Sequence, residues 1–391
     1  MRILTLSYEY PPIGGGGSVV ASALNETLVH LGDEIEVVTS RMRGLAADET
    51  IAGVRIHRTA CVRRYRHYTT TVELATTLLP AYRRAAQVAR DFKPQLIHAH
   101  FAVPSGIIAR EISRRFGVPY VLTAHGSDIP GYNPDRFRIA HWFLPPVWRR
   151  VLSDASVVTS PSHFLAGMIR EHIDLPVEVI PNGYSPALRQ GRAKRKLVLA
   201  VARLFPRKGI QHLIDAVSGL DTDWEFVVAG DGPYMDALRR QAAHARVPIR
   251  FAGFLDKTAL RGLYEEASIM VVPSIRENFP MVLLEAMDAG CAIISTDADG
   301  CAEVVGDTGV TVRCGDAAQI RAALQRLIHD PDECESLARA GRHRVRQFRW
   351  PVVADRYRQV FADVLGIETT LPPGVQDLAA TGLFTLPNLP P

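Results

Sequence analysis

The sequence lacks long apolar runs and has few cysteines, and each absence excludes a class of protein. None of its apolar runs approaches the ~20 residues that a membrane-spanning helix needs. Its five cysteines are scattered, with no close pair typical of a zinc site or a redox motif. The first twelve residues are too short and too soon interrupted for a signal peptide. We therefore expect a soluble cytoplasmic protein with reduced thiols, which at most touches a membrane surface.

A strong charge of either sign is also absent. The net charge is +4 and the pI is 8.8, which fits anionic ligands or membrane surfaces without requiring nucleic acid. No nucleic-acid-binding module is recognisable, so we predict no nucleic-acid partner. At 391 residues the chain is too long for one ordinary core, and two domains are expected.

What the sequence does contain is a repeated alternation of short β-branched runs with amphipathic stretches. Such β–α units predict parallel sheets covered on both faces by helices. The alternation breaks into turn residues and a basic stretch at 181–196, and then restarts. The sequence predicts an α/β fold of two doubly wound, Rossmann-like domains. The expected boundaries are 1–184 for the first domain and 185–349 for the second, with a helix at 350–366 packing back on the first and a poorly ordered tail at 367–391.

Strands are expected wherever short apolar runs are bounded by turn residues. In the first domain these are Ile3–Ser7, Ile35–Thr39, Val54–Arg58, Leu96–Ala99, Tyr120–Ala124, Ser156–Thr159 and Val177–Ile180. In the second domain they are Leu197–Ala202, Trp224–Ala229, Ile249–Ala252, Ile269–Val272, Ala292–Ser295 and Val310–Val312.

Two glutamates carry the clearest functional signal. Glu277 lies just before a predicted helix at Met281–Gly290, and Glu285 lies in the first turns of that helix. Acidic groups beside a helix N-terminus and its free N–H donors can be aimed at the hydroxyls of a sugar or ribose. The alternative is a solvated loop acid and an ordinary helix acid.

A glycine run, Gly14–Gly17, follows the first strand and opens the first helix. Small residues there let a ligand approach the backbone, and helix N–H groups favour a phosphate. The run is not the dinucleotide fingerprint, because neither frame places a third glycine correctly. A flexible turn is the alternative.

Histidines follow two strands of the first domain. His125 and Asp128 come after one of them and should face the ligand edge of the sheet, where a histidine can bind a sugar hydroxyl or transfer a proton. His98 and His100 alternate at the end of another strand, and we interpret them as structural or supporting residues. They lack an obvious third partner for zinc.

Basic residues open the second domain. Arg203, at the end of its first strand, and Lys208, just before a helix, can grip phosphate oxygens. Arg207 is better explained as a solvated loop charge. Asp297 and Asp299 superficially match a metal-binding acidic pair, but they lie in a loop before a glycine, and no metal site is predicted.

Taken together, these residues resemble the retaining GT-B glycosyltransferases of family 4 over nearly all of residues 1–366. The strongest match is the acidic pair from Glu277 to Glu285. The other matches are Gly14–Gly17, His125-Gly126, Pro181-Asn182-Gly183, Arg203 with Lys208-Gly209, Gly230-Asp231-Gly232, and Gly300 with Glu303.

The resemblance implies two domains facing each other across a cleft, with a nucleotide diphosphate sugar held mainly by the second and an acceptor by the first. Arg203 and Lys208 would hold the diphosphate, Glu285 the ribose and Glu277 the transferred sugar, which His125 would also contact. Backbone N–H groups of Gly16 and Gly17 would approach the phosphate or the acceptor. The segment Phe251–Leu255, with Phe254, would lie against the base. The remaining donor-binding positions are Asn278, Phe279, Met281 and Val282. No metal ion or cofactor is implied.

One departure from the family pattern concerns Pro280, which replaces a common glycine and removes an N–H donor near the sugar. Proline is tolerated at a first helical position, so the helix should persist.

Basic residues interleaved with aromatics, at 63–68 and 136–150, suit anionic headgroups or a lipid-linked acceptor. The alternative is a solvated basic face over buried aromatics. We expect a hexose-transferring enzyme of cell-surface polysaccharide or glycolipid assembly, acting at the inner face of the cell membrane. A nucleotide-sugar epimerase of the same architecture and a catalytically silent binding subunit are the competing functions.

Overall fold

The computed structural model describes residues 1–66, 69–132 and 145–368. Contacts divide the chain into two compact units. The first contains Met1–Gly183 and the residues from Trp350 onward, and the second is Tyr184–Arg349. The chain therefore leaves the first unit one residue before the predicted boundary and re-enters it at the predicted C-terminal helix. Residues 369–391 of the predicted tail at 367–391 lie outside the described residues.

The first unit is built on a largely parallel sheet. Its strands are β1 Arg2–Ser7, β2 Glu34–Arg41, β3 Asp48–Ile51, β4 Val54–Ala60, β5 Leu96–His100, β6 Tyr120–Thr123, β7 Val157–Ser160 and β8 Val177–Val179. Their order is β3-β4-β2-β1-β5-β6-β7-β8. The direction of winding reverses between β1 and β5, and open α/β sheets bind ligands at the carboxyl ends of the strands that flank such a reversal.

Strand β3 is an addition to the predicted set. It pairs antiparallel with β4, from Asp48 opposite His57 to Ile51 opposite Val54. The turn between them consists of Ala52 and Gly53, both with positive φ, as tight hairpin turns require. The other pairs in this sheet are parallel.

Helices cover both faces of the first sheet. They are α1 Gly16–His30, α2 Thr71–Phe92, α3 Ile107–Phe116, α4 Pro145–Ser153 and α5 His163–Arg170. A capping box fixes the start of α2, because the Thr70 side chain accepts from the Glu73 N–H while the Glu73 carboxylate accepts from Thr70. A short irregular turn, Ala102–Gly106, leads from β5 into α3.

The second unit has a wholly parallel sheet in the order β11-β10-β9-β12-β13-β14 among the described strands. The strands are β9 Arg195–Val201, β10 Glu225–Ala229, β11 Ile249–Gly253, β12 Ala267–Val272, β13 Ala292–Thr296 and β14 Val310–Val312. Its helices are α6 Ile210–Val217, α7 Met235–Ala242, α8 Lys257–Glu266, α9 Met281–Ala289, α10 Gly300–Val305, α11 Ala317–His329 and α12 Pro331–Arg344. Here the winding reverses between β9 and β12.

Local sequence explains where several of these helices begin. Asp256, Asp316 and Asp330 accept backbone N–H groups at the starts of α8, α11 and α12. Such caps satisfy donors that the first helical turn leaves unpaired. Strands β5 and β13 are buried along their whole length, as expected for parallel strands covered on both faces.

The last described helix, α13 Trp350–Leu365, belongs to the first unit. Its buried residues, including Trp350 and Phe361, pack in one core cluster with Ile3 and Leu24. A Cβ atom on Gly183 would lie 2.2 Å from the Trp350 ring, so only glycine fits where the chain leaves the unit.

Candidate active site

In the second unit, the loops that follow β9 and β12 are joined at the point where the winding reverses. The Ile275 N–H donates to the Arg207 carbonyl over 2.8 Å. Gly209 has a φ of +69°, and a Cβ there would lie 1.7 Å from the Pro273 carbonyl oxygen. A glycine is therefore required, and the two loops are held at fixed positions relative to each other.

This junction brings Lys208 and Glu277 into direct contact. The Lys208 Nζ donates to Glu277 Oε1, and the two side chains are 11% and 16% exposed. The backbone of Glu277 is fixed as well, since its N–H donates to Asp299 Oδ2 over 3.2 Å and its carbonyl accepts from Gly300 over 2.9 Å. The sequence predicted both residues for the same ligand, and the structure makes them neighbours.

The side chains of Asp297 and Asp299 accept hydrogen bonds from backbone N–H groups. Asp297 Oδ1 accepts from the Cys314 N–H over 2.8 Å, and Asp299 accepts from Glu277 as described. Partial burial raises the pKa of Asp299. Among the described residues, no cluster of His, Cys, Asp and Glu side chains is suited to hold a metal ion. These aspartates therefore act as loop supports, and metal independence stays a prediction.

Arg203 lies five residues before Lys208, at the carboxyl end of β9, and its side chain is exposed. Its guanidinium carbon lies 5.9 Å from the centre of the Phe205 ring. Within residues 1–66, 69–132 and 145–368 it forms no ion pair, which leaves its N–H donors available to an anion.

Helix α9 begins at Met281, directly after the Glu277 loop, with Pro280 at the N-cap position. Pro280 therefore lies one residue before the first helical position predicted for it, and the helix persists as expected. No side-chain cap bonds to the first turn in the described structure, so the N–H groups of Met281 and Val282 can serve a ligand. Asn278 is buried, and the Phe279 ring packs edge-on against Phe348 with centroids 5.8 Å apart.

Glu285 is half-buried in the second turn of α9. The Tyr264 hydroxyl, on α8, donates to its Oε2 atom over 2.7 Å. Burial raises the pKa of Glu285, and the hydrogen bond from Tyr264 opposes that rise. Tyr264 is a residue that sequence reasoning missed, because a tyrosine in an amphipathic helix reads as core.

The predicted base-binding segment, Phe251–Leu255, lies at the carboxyl end of β11, and its side chains have different surroundings. Phe251 packs against one core cluster and Leu255 against another. Phe254 lies between them with its side chain 82% exposed. Of the two phenylalanines in this segment, Phe254 is the exposed one.

In the first unit, the glycine run lies at the carboxyl end of β1, and α1 begins at Gly16. A Cβ on Gly17 would lie 2.5 Å from Phe101 Cζ and 3.3 Å from His125 Cγ. The backbone of the run therefore lies directly against the predicted catalytic imidazole. The run is also held by Glu9, whose Oε2 accepts from the Gly15 N–H over 3.2 Å. Glu9 was not predicted, although an acid just after the first strand was a possible signal.

The half-buried imidazole of His125 is paired with the buried imidazole of His100. Its Nε2 is hydrogen-bonded to Nδ1 of His100 over 3.0 Å. Burial lowers the pKa of His125 to about 4 and that of His100 well below its usual range. Both rings are therefore neutral at pH 7, which suits hydrogen bonding better than the donation of a proton from an imidazolium.

The neighbouring polar residues are structural. Asp128 accepts from the N–H groups of Ala102 and His125 over 2.8 and 3.0 Å, so both carboxylate oxygens bind backbone groups. This differs from the expectation that Asp128 faces a ligand. His98 is fully buried and bonds to Thr123 Oγ1 over 2.7 Å, which agrees with its interpretation as a supporting residue.

The basic and aromatic segments differ from the surface expected for acceptor binding. The Arg63 side chain is 1% exposed and pairs with Glu9 over 3.3 Å, so it supports the glycine run and cannot meet a headgroup. Trp148 is buried, whereas Arg149 and Arg150 beside it are exposed. Residues 67–68 and 133–144 of these segments lie outside the described residues.

Comparison with known proteins shows which family this chain belongs to. A family model described as "Glycosyl transferase 4-like domain" matches residues 15–183, and one described as "Glycosyl transferases group 1" matches residues 189–344. Glycogen synthase of Mycobacterium tuberculosis is 30% identical over 92% of this chain and 94% of its own. The chain belongs to the family 4 glycosyltransferases of the GT-B fold. The predicted family and enzyme class are thereby confirmed.

Solved structures agree with this glycosyltransferase fold. Sucrose-phosphate synthase from Thermosynechococcus elongatus superposes with a TM-score of 0.76 at 22% identity, covering 94% of this chain and 99% of that one. HepE of Anabaena, solved in complex with UDP, gives 0.74 at 18% identity, covering 93% and 100%. In the described part of the glycosyltransferase, no helix is long and apolar enough to cross a bilayer.

Proposed function

We propose that this glycosyltransferase moves a hexose-type sugar from a nucleotide diphosphate sugar to a saccharide or lipid-linked acceptor, with retention of configuration and without a metal ion. The observation that carries the proposal is the Lys208–Glu277 contact at the winding reversal of the second unit. It sets a cation and a carboxylate side by side, directly before the uncapped N-terminus of α9.

The donor would be bound by groups of opposite character. Arg203, Lys208 and the N–H groups of Met281 and Val282 suit the diphosphate. The Lys208 ammonium carries three donors, so it can bond a phosphate oxygen while it retains Glu277.

The ribose and sugar hydroxyls of the donor need hydrogen-bond acceptors, and its base needs an apolar surface. Glu285 would accept from the ribose hydroxyls and Glu277 from those of the sugar. The exposed ring of Phe254 would stack on the base.

The chemistry follows from charge. Negative charge accumulates on the leaving diphosphate as the glycosidic bond breaks, and Arg203, Lys208 and the helix N–H groups stabilise it. Retention follows if the acceptor oxygen attacks the anomeric carbon from the leaving-group face and passes its proton to a phosphate oxygen. That stereochemistry rests on the family resemblance.

The first unit would supply the acceptor side. The N–H groups of Gly16 and Gly17 are proposed to approach phosphate or acceptor, and the neutral His125 to hydrogen-bond the transferred sugar. Relatives support a nucleotide sugar and a saccharide, since HepE was solved with UDP and with UDP-glucose, and the 30% identical relative is a glycogen synthase. The setting we propose is polysaccharide or glycolipid assembly at the inner face of the cell membrane.

The test is a set of incubations of the full chain with UDP-, GDP- and ADP-sugars, with and without a chelator. We expect a uridine or guanosine diphosphate sugar to raise the melting temperature, and transfer to continue in the chelator with the donor's anomeric configuration kept in the product. Conversion of the donor to an epimer without acceptor would instead favour the epimerase. Donor binding without turnover on any saccharide or lipid acceptor would favour the silent subunit.

A further inference from the structure

The first unit contains an apolar cavity that the proposed donor contacts do not use. Its volume is about 190 Å³. Apolar cavities of roughly 150 Å³ already bind benzene-sized ligands. The walls come from the start of α2, the turn before α3, the loop at 127–130 and the start of α4. Leu74, Leu78, Ile107 and Trp148 are among the apolar lining residues.

The wall is mainly apolar, and the polar groups of Asp128 and Trp148 are already used within the protein. Both oxygens of Asp128 accept from backbone N–H groups. Trp148 Nε1 donates to the Asp128 carbonyl over 3.0 Å. A saccharide in this cavity would lose its hydrogen bonds to water without replacement, which is unfavourable. The lining therefore favours a hydrocarbon.

The segments that form the cavity also carry exposed apolar and cationic side chains. Val72 and Leu79 on α2 are 76% and 56% exposed, and Val147 on α4 is 38% exposed. Arg149 and Arg150 follow directly on α4 and are exposed. An apolar cavity bordered by apolar side chains and arginines is complementary to a molecule with a hydrocarbon chain and an anionic head.

We propose that this cavity, defined by Leu74, Ala75, Leu78, Ile107 and Trp148, binds the hydrocarbon chain of a lipid-linked anionic acceptor, with Arg149 and Arg150 facing its phosphate. This inference rests on the proposed function, because it names the acceptor class. The cavity lies in the unit assigned to the acceptor. One of its lining residues is Tyr8, which directly follows the last residue of β1. The glycine run follows along the chain.

The direct test uses hexyl, octyl and decyl phosphate below their micelle concentrations, with the full chain and no donor. Binding is measured by calorimetry. Each buried methylene should strengthen binding about fourfold until the chain fills the cavity, after which affinity levels off. Inorganic phosphate should bind far more weakly, and simultaneous Arg149→Ala and Arg150→Ala substitutions should weaken alkyl phosphates while leaving decanol unchanged.

A matched pair of variants locates the chain. Ala75 lines the cavity from an exposed position on α2, whereas Leu79 is exposed on the same helix and does not line it. Ala75→Phe should lower decyl phosphate affinity about tenfold. In this variant the gain in affinity with each added methylene should end at a shorter alkyl chain than in the wild type. Leu79→Phe should match the wild type. Thr71→Phe, also exposed and lining, replaces Ala75→Phe if that variant does not fold.

The assignment would be overturned if alkyl phosphate affinity did not depend on chain length. It would also be overturned if that affinity fell equally in Ala75→Phe and Leu79→Phe. Adsorption to phosphatidylglycerol vesicles that Ala75→Phe leaves intact would also overturn it, since the membrane surface would then be the ligand. Donor affinity is measured in the same samples. If donor binding persists and alkyl phosphates fail, the acceptor class is wrong and the transferase proposal stands. The reverse result would remove the transferase proposal and the acceptor role with it, and would leave the cavity as a binding site for alkyl phosphates.

Discussion

The Tyr264 hydroxyl donates to Oε2 of Glu285 over 2.7 Å, from α8 to the second turn of α9. Tyr264 is itself 2% exposed, so the phenol is anchored in the core. In the described structure Oε1 of Glu285 has no hydrogen-bond donor, which leaves that atom to a ligand hydroxyl. The contact fixes the carboxylate and favours its ionised form.

Removal of this hydroxyl should weaken donor binding without unfolding the protein. Tyr264→Phe keeps the ring, and we expect about fivefold weaker nucleotide binding, because a hydrogen bond contributes roughly 1 kcal/mol. The loss should be smaller for a 2′,3′-dideoxy nucleotide, which has no ribose hydroxyl to place. Since the hydrogen bond lowers the pKa of Glu285, its removal should also shift the acid loss of binding to higher pH. Calorimetry across pH measures both effects.

Tyr120→Phe is the control for Tyr264→Phe. Tyr120 is also buried, and its hydroxyl donates to the Val151 carbonyl, with both residues in the first unit. It should keep wild-type donor affinity and pH dependence. Equal losses in both variants would attribute the effect to general destabilisation and remove the role assigned to Tyr264.

Gly300 supports the Glu277 loop through close contact. A Cβ at this position would lie 1.6 Å from the Asn278 carbonyl oxygen. Gly300→Ala must therefore displace the loop, and a shift of about 1 Å at a substrate-positioning residue can reduce kcat/KM about 100-fold. Gly167→Ala, on α5 with no atom within 4 Å of the added carbon, should leave activity unchanged. Steady-state transfer rates test this, and normal activity in Gly300→Ala would show that the loop position is unimportant.

Acid should destabilise the first unit through its buried histidines. Burial lowers the pKa of His98 to about 3 and that of His125 to about 4, while unfolding restores values near 6.5. Between these limits the unfolded chain binds more protons, so stability is complete above pH 6.5 and is lost as pH falls.

His98→Gln should therefore flatten the decline in urea-unfolding free energy between pH 6.5 and pH 5. One titrating group corresponds to about 1.4 kcal/mol per pH unit. A slope identical in wild type and His98→Gln would show that His98 does not titrate on unfolding.

The strands and their parallel arrangement could be predicted from the sequence because buried parallel strands are short apolar runs, as at β5 and β13. Strand β3 was missed because Asp48-Glu-Thr-Ile has little apolar character. Its position is fixed by pairing with β4 and by ion pairs such as Glu49 with Arg58. Tertiary contacts of this kind leave no periodic pattern.

In the candidate site, too, some residues could be predicted from sequence motifs and others depend on tertiary contacts. Glu277, Glu285, Arg203 and Lys208 have chemistry that a motif reveals. Glu9 and Tyr264 act through hydrogen bonds to residues six and twenty-one positions away, which only the fold brings together. Arg63 was assigned to a headgroup because sequence shows charge but not burial, and its side chain is 1% exposed.

The most direct test of the central claim is calorimetry of the full chain with UDP, GDP and ADP, comparing Lys208→Met with wild type. Hydrogen bonds to charged groups contribute about 1.5–3 kcal/mol, so loss of the ammonium should weaken the preferred diphosphate about 10- to 100-fold. The corresponding nucleoside should be unaffected. Lys196→Met is the control, since Lys196 pairs with Asp223 and lies near the amino end of the same strand, β9. Equal diphosphate affinity in wild type and Lys208→Met, or no binding of any of the three, would contradict the account.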